Sequence, residues 1–139
     1  GSGKVYVVIS VGAVQIAAGA ALASWGIIYG VSQIKQTTLP TADLVASGIR
    51  PQLGNGGNYS GRALVDLAPV LNVDPLYKAL GTSVSNPVAS LAGPSVTVDV
   101  AGKIVLPPSS LLALHVVAAD IGVTTLINVM WAELDADEF

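Results

Sequence analysis

The stretch SVTVDV, residues 95–100, alternates polar and apolar side chains without interruption. Successive side chains of a β-strand point to opposite faces, so a period of two indicates a half-buried strand. Val96, Val98 and Val100 are therefore expected to face the core. Ala101-Gly102 follows and predicts a two-residue turn, which would send the chain back beside this strand.

Three more strands are predicted beyond that turn. Lys103–Leu106 is the expected return strand, and Pro107-Pro108 stops it because proline has no backbone N–H to donate. Leu111–Ala118 is a continuous apolar run, which is typical of a strand covered on both faces. Asp120–Gly122 can turn, and Val123–Leu134 is the last predicted strand.

The last strand carries apolar residues on both of its faces. One parity holds Thr125, Ile127, Val129 and Trp131, and the other holds Leu126, Asn128, Met130 and Ala132. Such a strand lies either at the centre of a sheet or at an interface with another molecule. Several short strands separated by Gly/Pro turns predict an antiparallel sandwich or barrel.

Residues 5–34 contain no charge and support two alternatives. Their hydropathy is high enough for a helix that spans a membrane or packs along a filament axis, as in a pilin-like subunit. However, Val, Ile, Gly and Ala dominate the segment, and Trp25, Ile27 and Tyr29 share one parity, which suits one face of a strand. We expect two or three strands here, with a turn at Ala17-Ala18-Gly19, and keep the apolar helix as the alternative.

Residues 37–94 form a loop-rich region in the middle of the chain, marked by turn signals such as Gly54–Asn58. One or two short helices are predicted within it, and the candidates are Thr41–Ser47, Ser60–Leu71 and Asp74–Leu80, the last ended by Gly81. Thr82–Pro94 is predicted to be a loop. Long ordered loops are often functional, so this region either reaches a neighbouring subunit or covers an open sheet edge.

The charge content excludes several classes of protein. Of 139 residues, 52% are hydrophobic and only 11% are charged, about half the usual share. Disorder and a basic nucleic-acid surface are therefore excluded, and the absence of cysteine excludes a disulfide scaffold. Six basic and five acidic residues precede Glu133, and four acidic residues lie in 133–139. A nearly neutral, apolar body of this kind favours association.

Few residues could carry chemistry. His115 is the only histidine and lies in an apolar run, where a packing or interface role is more common than catalysis. The acidic residues at 135–138 could bind a hard cation weakly, but a solvated tail is the simpler interpretation. Trp25, Tyr29 and Trp131 could stack on sugar rings, although core positions are more common for such residues. The chain is thus predicted to be no enzyme and to need no cofactor or metal.

A family resemblance rests on the order of elements in 107–133. Pro-Pro-Ser-Ser, an apolar strand, a short turn and an apolar strand ending in Trp-Ala-Glu resemble the closing strands of small jelly-roll β-sandwiches in phage and viral virion proteins. The same order is similar to tumour-necrosis-factor-like trimeric domains, and Val14–Leu22 resembles their opening hairpin. The resemblance implies a capsid, decoration or spike component that oligomerises, and it carries over no catalytic residue.

Together these patterns predict a mainly β protein, a single jelly-roll-like antiparallel β-sandwich over 1–139, with the insertion 37–94 and an acidic tail at 133–139. The expected function is a structural subunit that assembles with copies of itself and with a larger protein shell, in a virion or another extracellular assembly. The alternatives are a membrane-anchored or pilin-like filament subunit, in which 5–34 contact the membrane, and a secreted carbohydrate-binding module. The predicted contact residues are Trp25, Tyr29, His115, Met130 and Trp131.

Overall fold

The computed structural model describes residues 3–32, 77–85, 87, 94–108, 110–119 and 122–138. These residues form six β-strands and one turn of 3-10 helix. The elements are β1 (Lys4–Ala17), β2 (Ser24–Ser32), β3 (Lys78–Val84), β4 (Ser95–Leu106), β5 (Leu111–Ala118), β6 (Thr124–Asp135) and the 3-10 turn (Ala136–Glu138). The predicted mainly β fold class is therefore confirmed.

The strands form two antiparallel sheets of three strands each. Sheet A has the order β4-β1-β6, and sheet B has the order β3-β2-β5. The first strand thus pairs with the last, and the second with the fifth, so the halves of the described chain are interleaved. The predicted β-sandwich is confirmed. The jelly-roll arrangement, which uses eight strands, stays a prediction, because the described residues contribute six.

The core lies between the inner faces of the two sheets. Its buried residues come from β1, β2 and β4 and are Val8, Val11, Ala13, Trp25, Ile27, Val100, Ile104 and Leu106. Residues directly opposite one another in paired strands share a face. Val11 lies opposite both Val98 and Val129, and Ala13 lies opposite both Val96 and Ile127. The predicted alternation of β4 is therefore confirmed, with Val96, Val98 and Val100 directed inwards.

Strands occupy the apolar N-terminal region as far as residue 32. β1 runs without a break to Ala17, with irregularities in its pairing at Ile9 and Ile16, and β2 follows after a six-residue connection. The alternative of a helix over 5–34 is wrong for these residues. Within the described ranges no helix has the length and apolar character needed to cross a membrane. β-branched residues favour the extended backbone here, and the repeated glycines disfavour a helix.

The predicted turn at Ala101-Gly102 is wrong as a reversal of the chain. Both residues have the positive φ that such a turn requires, 50° and 74°, and Asp99 Oδ1 accepts a hydrogen bond from the Ala101 N–H at 2.8 Å. β4 nevertheless continues along β1, with Asp99 opposite Ser10 and Ile104 opposite Val8. Residues 100–103 therefore stand opposite Ile9 alone. The local turn geometry forms a bulge because both halves of β4 hydrogen-bond to the same neighbour.

A second correction concerns the end of the loop-rich region. The predicted short helix through Leu80 and the loop from Thr82 are wrong where they overlap β3, because Lys78–Val84 pairs with β2 as a strand. Strand pairing over a long sequence separation outweighs a weak local preference here. The other two predicted helices, Thr41–Ser47 and Ser60–Leu71, lie outside the described residues.

The two closing strands are edge strands of their sheets. β5 was predicted to be covered on both faces, but within the described chain it pairs only with β2, and its His115 and Val117 are exposed. Within the described ranges β6 pairs with β1 alone and lies at the edge of sheet A, so the central position considered for it is not found there. Its alternative position at an intermolecular interface stays a prediction.

The beginning of the acidic tail belongs to the sheet. Glu133 and Asp135 are residues of β6, where Asp135 lies opposite Lys4. The Lys4 ammonium contacts Asp135 Oδ1 at 2.6 Å, and the Ala136 N–H donates to the Gly3 carbonyl at 3.1 Å. The predicted boundary at residue 133 is thus corrected, because the chain leaves the sheet only after Asp135.

Candidate interaction surface

The outward face of sheet A follows directly from the strand register. Leu126, Asn128 and Met130 of β6 lie opposite Val14, Gly12 and Ser10 of β1. Their neighbours along β6, Ile127 and Val129, pack against the core, so alternation directs these side chains outwards. Asn128 extends across β1 in this layer, because a Cβ placed on Gly12 would lie 2.7 Å from Asn128 Oδ1.

Leu126 and Met130 are exposed on this face, and Ile9 and Ile16 are exposed on β1 at the two irregularities of its pairing. Ile16 is 61% exposed, Leu126 57%, Met130 42% and Ile9 39%. We call these four residues the apolar strip. On the β4 side of the same face, the corresponding residues are the exposed Ser95, Thr97 and Asp99, which we call the polar strip. The outward face is therefore apolar toward β6 and polar toward β4.

The outward face of sheet B is less uniform. Val84 and Val117 are exposed on it, beside Thr82, whose side chain lies against Gly26. Farther along, His115 is exposed, and its Nε2 shares a hydrogen bond of 2.8 Å with the Tyr77 hydroxyl. The two rings meet edge to face, with their centroids 4.8 Å apart. This pair joins the residue that precedes β3 to β5 across the width of sheet B.

The five predicted contact residues do not form one surface. Met130 belongs to the apolar strip, whereas His115 lies on the outward face of the other sheet. Tyr29 is half-buried against the core, and Trp131 is half-buried with its Nε1 donating to Glu133 Oε1 at 3.4 Å. Trp25 is only 2% exposed and lies inside the core.

Two earlier expectations change with this placement. Trp25 offers no surface to a partner, because both of its neighbouring strands and the opposite sheet cover it, so its role as a contact residue is corrected to packing. Trp25 and Tyr29 do not form the predicted sugar-stacking surface, since Trp25 is buried and Tyr29 packs against the same core.

Three residues of the apolar strip were missed from the sequence. Leu126 shares its parity with Met130 and could have been found from that pattern. Ile9 and Ile16 could not, because they lie at the irregularities in β1 pairing, where the period of two is interrupted.

The described residues show no candidate metal site. Within the described ranges, no three His, Asp or Glu side chains are placed to hold a metal ion together. Asp135, one of the acidic residues considered for a cation, contacts Lys4 instead. Comparison of the chain with protein-family models, curated proteins and solved structures found no match.

Proposed function

We propose that this protein is a non-enzymatic structural subunit that assembles with copies of itself through the apolar strip. The observation that carries the proposal is the exposure of four large aliphatic or thioether side chains along the neighbouring strands β1 and β6, two of them on the outward face that the register defines. Exposed apolar residues are common one at a time, but a contiguous group is typical of a contact with protein or membrane. Covering such a strip removes apolar area from water, which is the main driving force of most protein association.

The electrostatics of the strip favour contact between identical molecules. The outward residues of β6 from Leu126 to Met130 and their partners on β1 carry no charge. The chain before Glu133 contains nearly equal numbers of basic and acidic residues, so two copies repel each other only weakly. The excess negative charge lies at 133–139, beyond the strip.

A virion shell is the assembly that we propose, as a capsid or decoration subunit. A sandwich with an apolar outward face can bury that face against a neighbouring copy or against a larger shell. The strand order after Pro107-Pro108, which resembles virion jelly-roll proteins, supports the same assignment. The membrane-anchored and filament alternatives depended on an N-terminal helix, and β1 and β2 occupy that region as far as residue 32.

Light scattering coupled to size-exclusion chromatography tests the assembly. We expect the wild-type mass to exceed that of one chain and to rise with concentration. Leu126→Lys and Met130→Lys each place a charge in the contact, so they should reduce the mass to that of a monomer. Thr97→Lys, on the polar strip of the same sheet, is the matched control and should leave the mass unchanged. A wild-type monomer at every concentration would refute the proposal.

Electron microscopy of the concentrated protein tests the kind of assembly. A shell subunit should give closed particles or ordered sheets of uniform spacing. Irregular aggregates alone, with the mass still dependent on the apolar strip, would retain self-association and contradict the virion assignment.

A further inference from the structure

The outer edge of β6 is built like a strand that receives another strand. Within the part of the chain that the structure describes, β6 pairs with β1 and with no other strand. An edge strand presents a row of backbone N–H and C=O groups, and proteins usually protect it with lysine, proline or a short length. β6 is 12 residues long, and Thr124–Ala132 contains neither proline nor charge.

The inward side chains near this edge are incompletely covered. Ile127 and Val129 of β6 are half-buried, whereas Ala13 and Val11, directly opposite them on β1, are at most 3% exposed. On the other side of the sandwich, the sheets approach closely, since a Cβ on Gly81 of β3 would lie 2.6 Å from Val96 Cγ1 of β4. The inward side chains of β6 are therefore less completely covered than those of the central strand β1, as are Val96 and Val98 at the other edge of the sheet.

We propose that β6 pairs antiparallel with β6 of a second copy, about a twofold axis that passes beside Asn128. The uncharged run Thr124–Ala132 is centred on this residue, so pairing in this register uses the whole run. Asn128 then meets its own copy. An amide both donates and accepts hydrogen bonds, so two identical amides on the axis satisfy each other.

The remaining pairs in this register are also complementary. Leu126 lies opposite Met130 of the second copy on the outward face, and Ile127 lies opposite Val129 on the inward face. Apolar cross-strand pairs of this kind stabilise antiparallel sheets. Glu133 and Asp135 fall beyond the paired run at opposite ends of the ladder, because the two strands run in opposite directions. Parallel pairing would place these carboxylates side by side, which identical charges oppose.

The dimer formed in this way has one continuous six-stranded sheet. Its order is β4-β1-β6 followed by the same strands of the second copy in reverse. The two apolar strips then lie next to each other in the middle of a single surface, and the two polar strips lie at its outer margins. This inference rests on the proposed function, since it specifies how two subunits first associate, while the merged apolar surface is left to contact the rest of the assembly.

The chain contains no cysteine, so a disulfide in a single-cysteine variant can join two copies only through the introduced residue. In antiparallel strands, directly opposite Cα atoms are about 4.5 or 5.5 Å apart, which a disulfide can bridge. The variant Asn128→Cys should therefore form a disulfide-linked dimer under mild oxidation. Thr97→Cys is the matched control, because both side chains are exposed and both residues lie opposite Gly12, on its two sides. We expect it to stay uncrosslinked. Circular dichroism of both reduced variants establishes that they fold.

Amide hydrogen exchange of the wild-type protein tests the backbone pairing independently. At low concentration, the amides of β6 that point away from β1 should exchange rapidly. Pairing should abolish this fast exchange in 124–132 as the concentration rises, while the amides of β4 remain unchanged. Both results together support the proposal.

The outcomes separate this inference from the proposed function. An oligomeric wild-type protein whose Asn128→Cys variant does not crosslink, and whose β6 amides still exchange rapidly, would overturn the edge pairing while self-association stands. A strictly monomeric wild-type protein would overturn both.

Discussion

The substitution Gly81→Ala tests the packing of the two sheets where Gly81 of β3 lies against β4. A Cβ at this position would lie 2.6 Å from Val96 Cγ1 and 3.1 Å from Val98 Cγ2. Carbon atoms in a packed interior prefer separations of about 3.5–4.0 Å, so β3 and β4 would have to move apart by roughly 1 Å. Extra methyl groups in a packed core typically cost about 1–3 kcal/mol.

The net effect is smaller than this steric cost. Alanine restricts the unfolded chain more than glycine does, which returns about 0.4–1 kcal/mol of stability. We therefore expect Gly81→Ala to lower the free energy of unfolding by about 1–2 kcal/mol. Urea denaturation should show a lower midpoint with an unchanged slope, since the surface exposed on unfolding stays the same.

A double-mutant cycle with Val96→Ala identifies the cause. Val96→Ala alone removes two half-buried methyl groups and should cost about 1 kcal/mol. In the double variant the new Cβ occupies space that Val96 has vacated, so the combined cost should fall short of the sum by about 1 kcal/mol or more. Additivity within about 0.5 kcal/mol would refute the close approach of these sheets.

Gly12→Ala is the control for the glycine substitution itself. The overlap there is similar, 2.7 Å to Asn128 Oδ1, but it involves only the end of an exposed side chain. That side chain can rotate away, so we expect a change within about 0.5 kcal/mol. A cost equal to that of Gly81→Ala would show that loss of glycine, and not contact between the sheets, determines the effect.

Three further predictions concern other parts of the fold and can be measured in the same urea titrations. Ser85→Ala removes the hydroxyl of a buried serine, which hydrogen-bonds to two backbone groups of the connection between β1 and β2. It should therefore lower the free energy of unfolding by about 1–3 kcal/mol. Ser95→Ala, at an exposed strand position, should be nearly neutral. Gly102→Ala should cost about 1–2 kcal/mol, because its φ of 74° is unfavourable for an L side chain, and a value near zero would contradict the bulge in β4. Lys4→Ala should lower the free energy of unfolding by less than about 1 kcal/mol, because its ion pair with Asp135 is exposed. It should also remove any salt dependence of stability that this pair contributes. A larger loss of stability would show that the pair has a structural role.

The strand assignments show which features of the fold can be predicted from the side-chain period of two residues. Alternation predicted that Val96, Val98 and Val100 face the core, which the register confirms. The shared parity of Trp25, Ile27 and Tyr29 predicted one strand face, and the structure shows that it is the inner face of β2. These predictions succeeded because the side-chain period of a strand is a local property of the backbone. A residue's face follows from its neighbours two positions away, whatever pairs with the strand.

Local signals were insufficient where long-range hydrogen bonds decided the outcome. Ala101-Gly102 has turn geometry, but whether it reverses the chain depends on where the next residues find a partner. They pair with β1, 96 positions distant between Val8 and Ile104, and the predicted hairpin becomes a bulge. Lys78–Val84 has a weak strand pattern and becomes a strand because β2 offers an edge to pair with.

The candidate interaction surface likewise has features that the sequence predicted and features that only the tertiary structure shows. The apolar residues on both parities of the last strand predicted a central position or an interface, and Met130, one of the predicted contact residues, lies on the outward face. Only the tertiary structure shows that β6 is an edge strand among the described strands, that Leu126, Met130 and Ile16 are exposed, and that Trp25 is enclosed.

The sequence alone therefore determined the β class, the inward parity of Val96, Val98 and Val100, and the near-neutral apolar character of the chain. These properties depend on composition and on spacings of two residues. The tertiary structure decided which strands are neighbours, which are edges, and which apolar residues remain uncovered. Such properties depend on backbone pairing between distant segments, since any extended strand can hydrogen-bond to many others and only the packing of both sheets selects one arrangement.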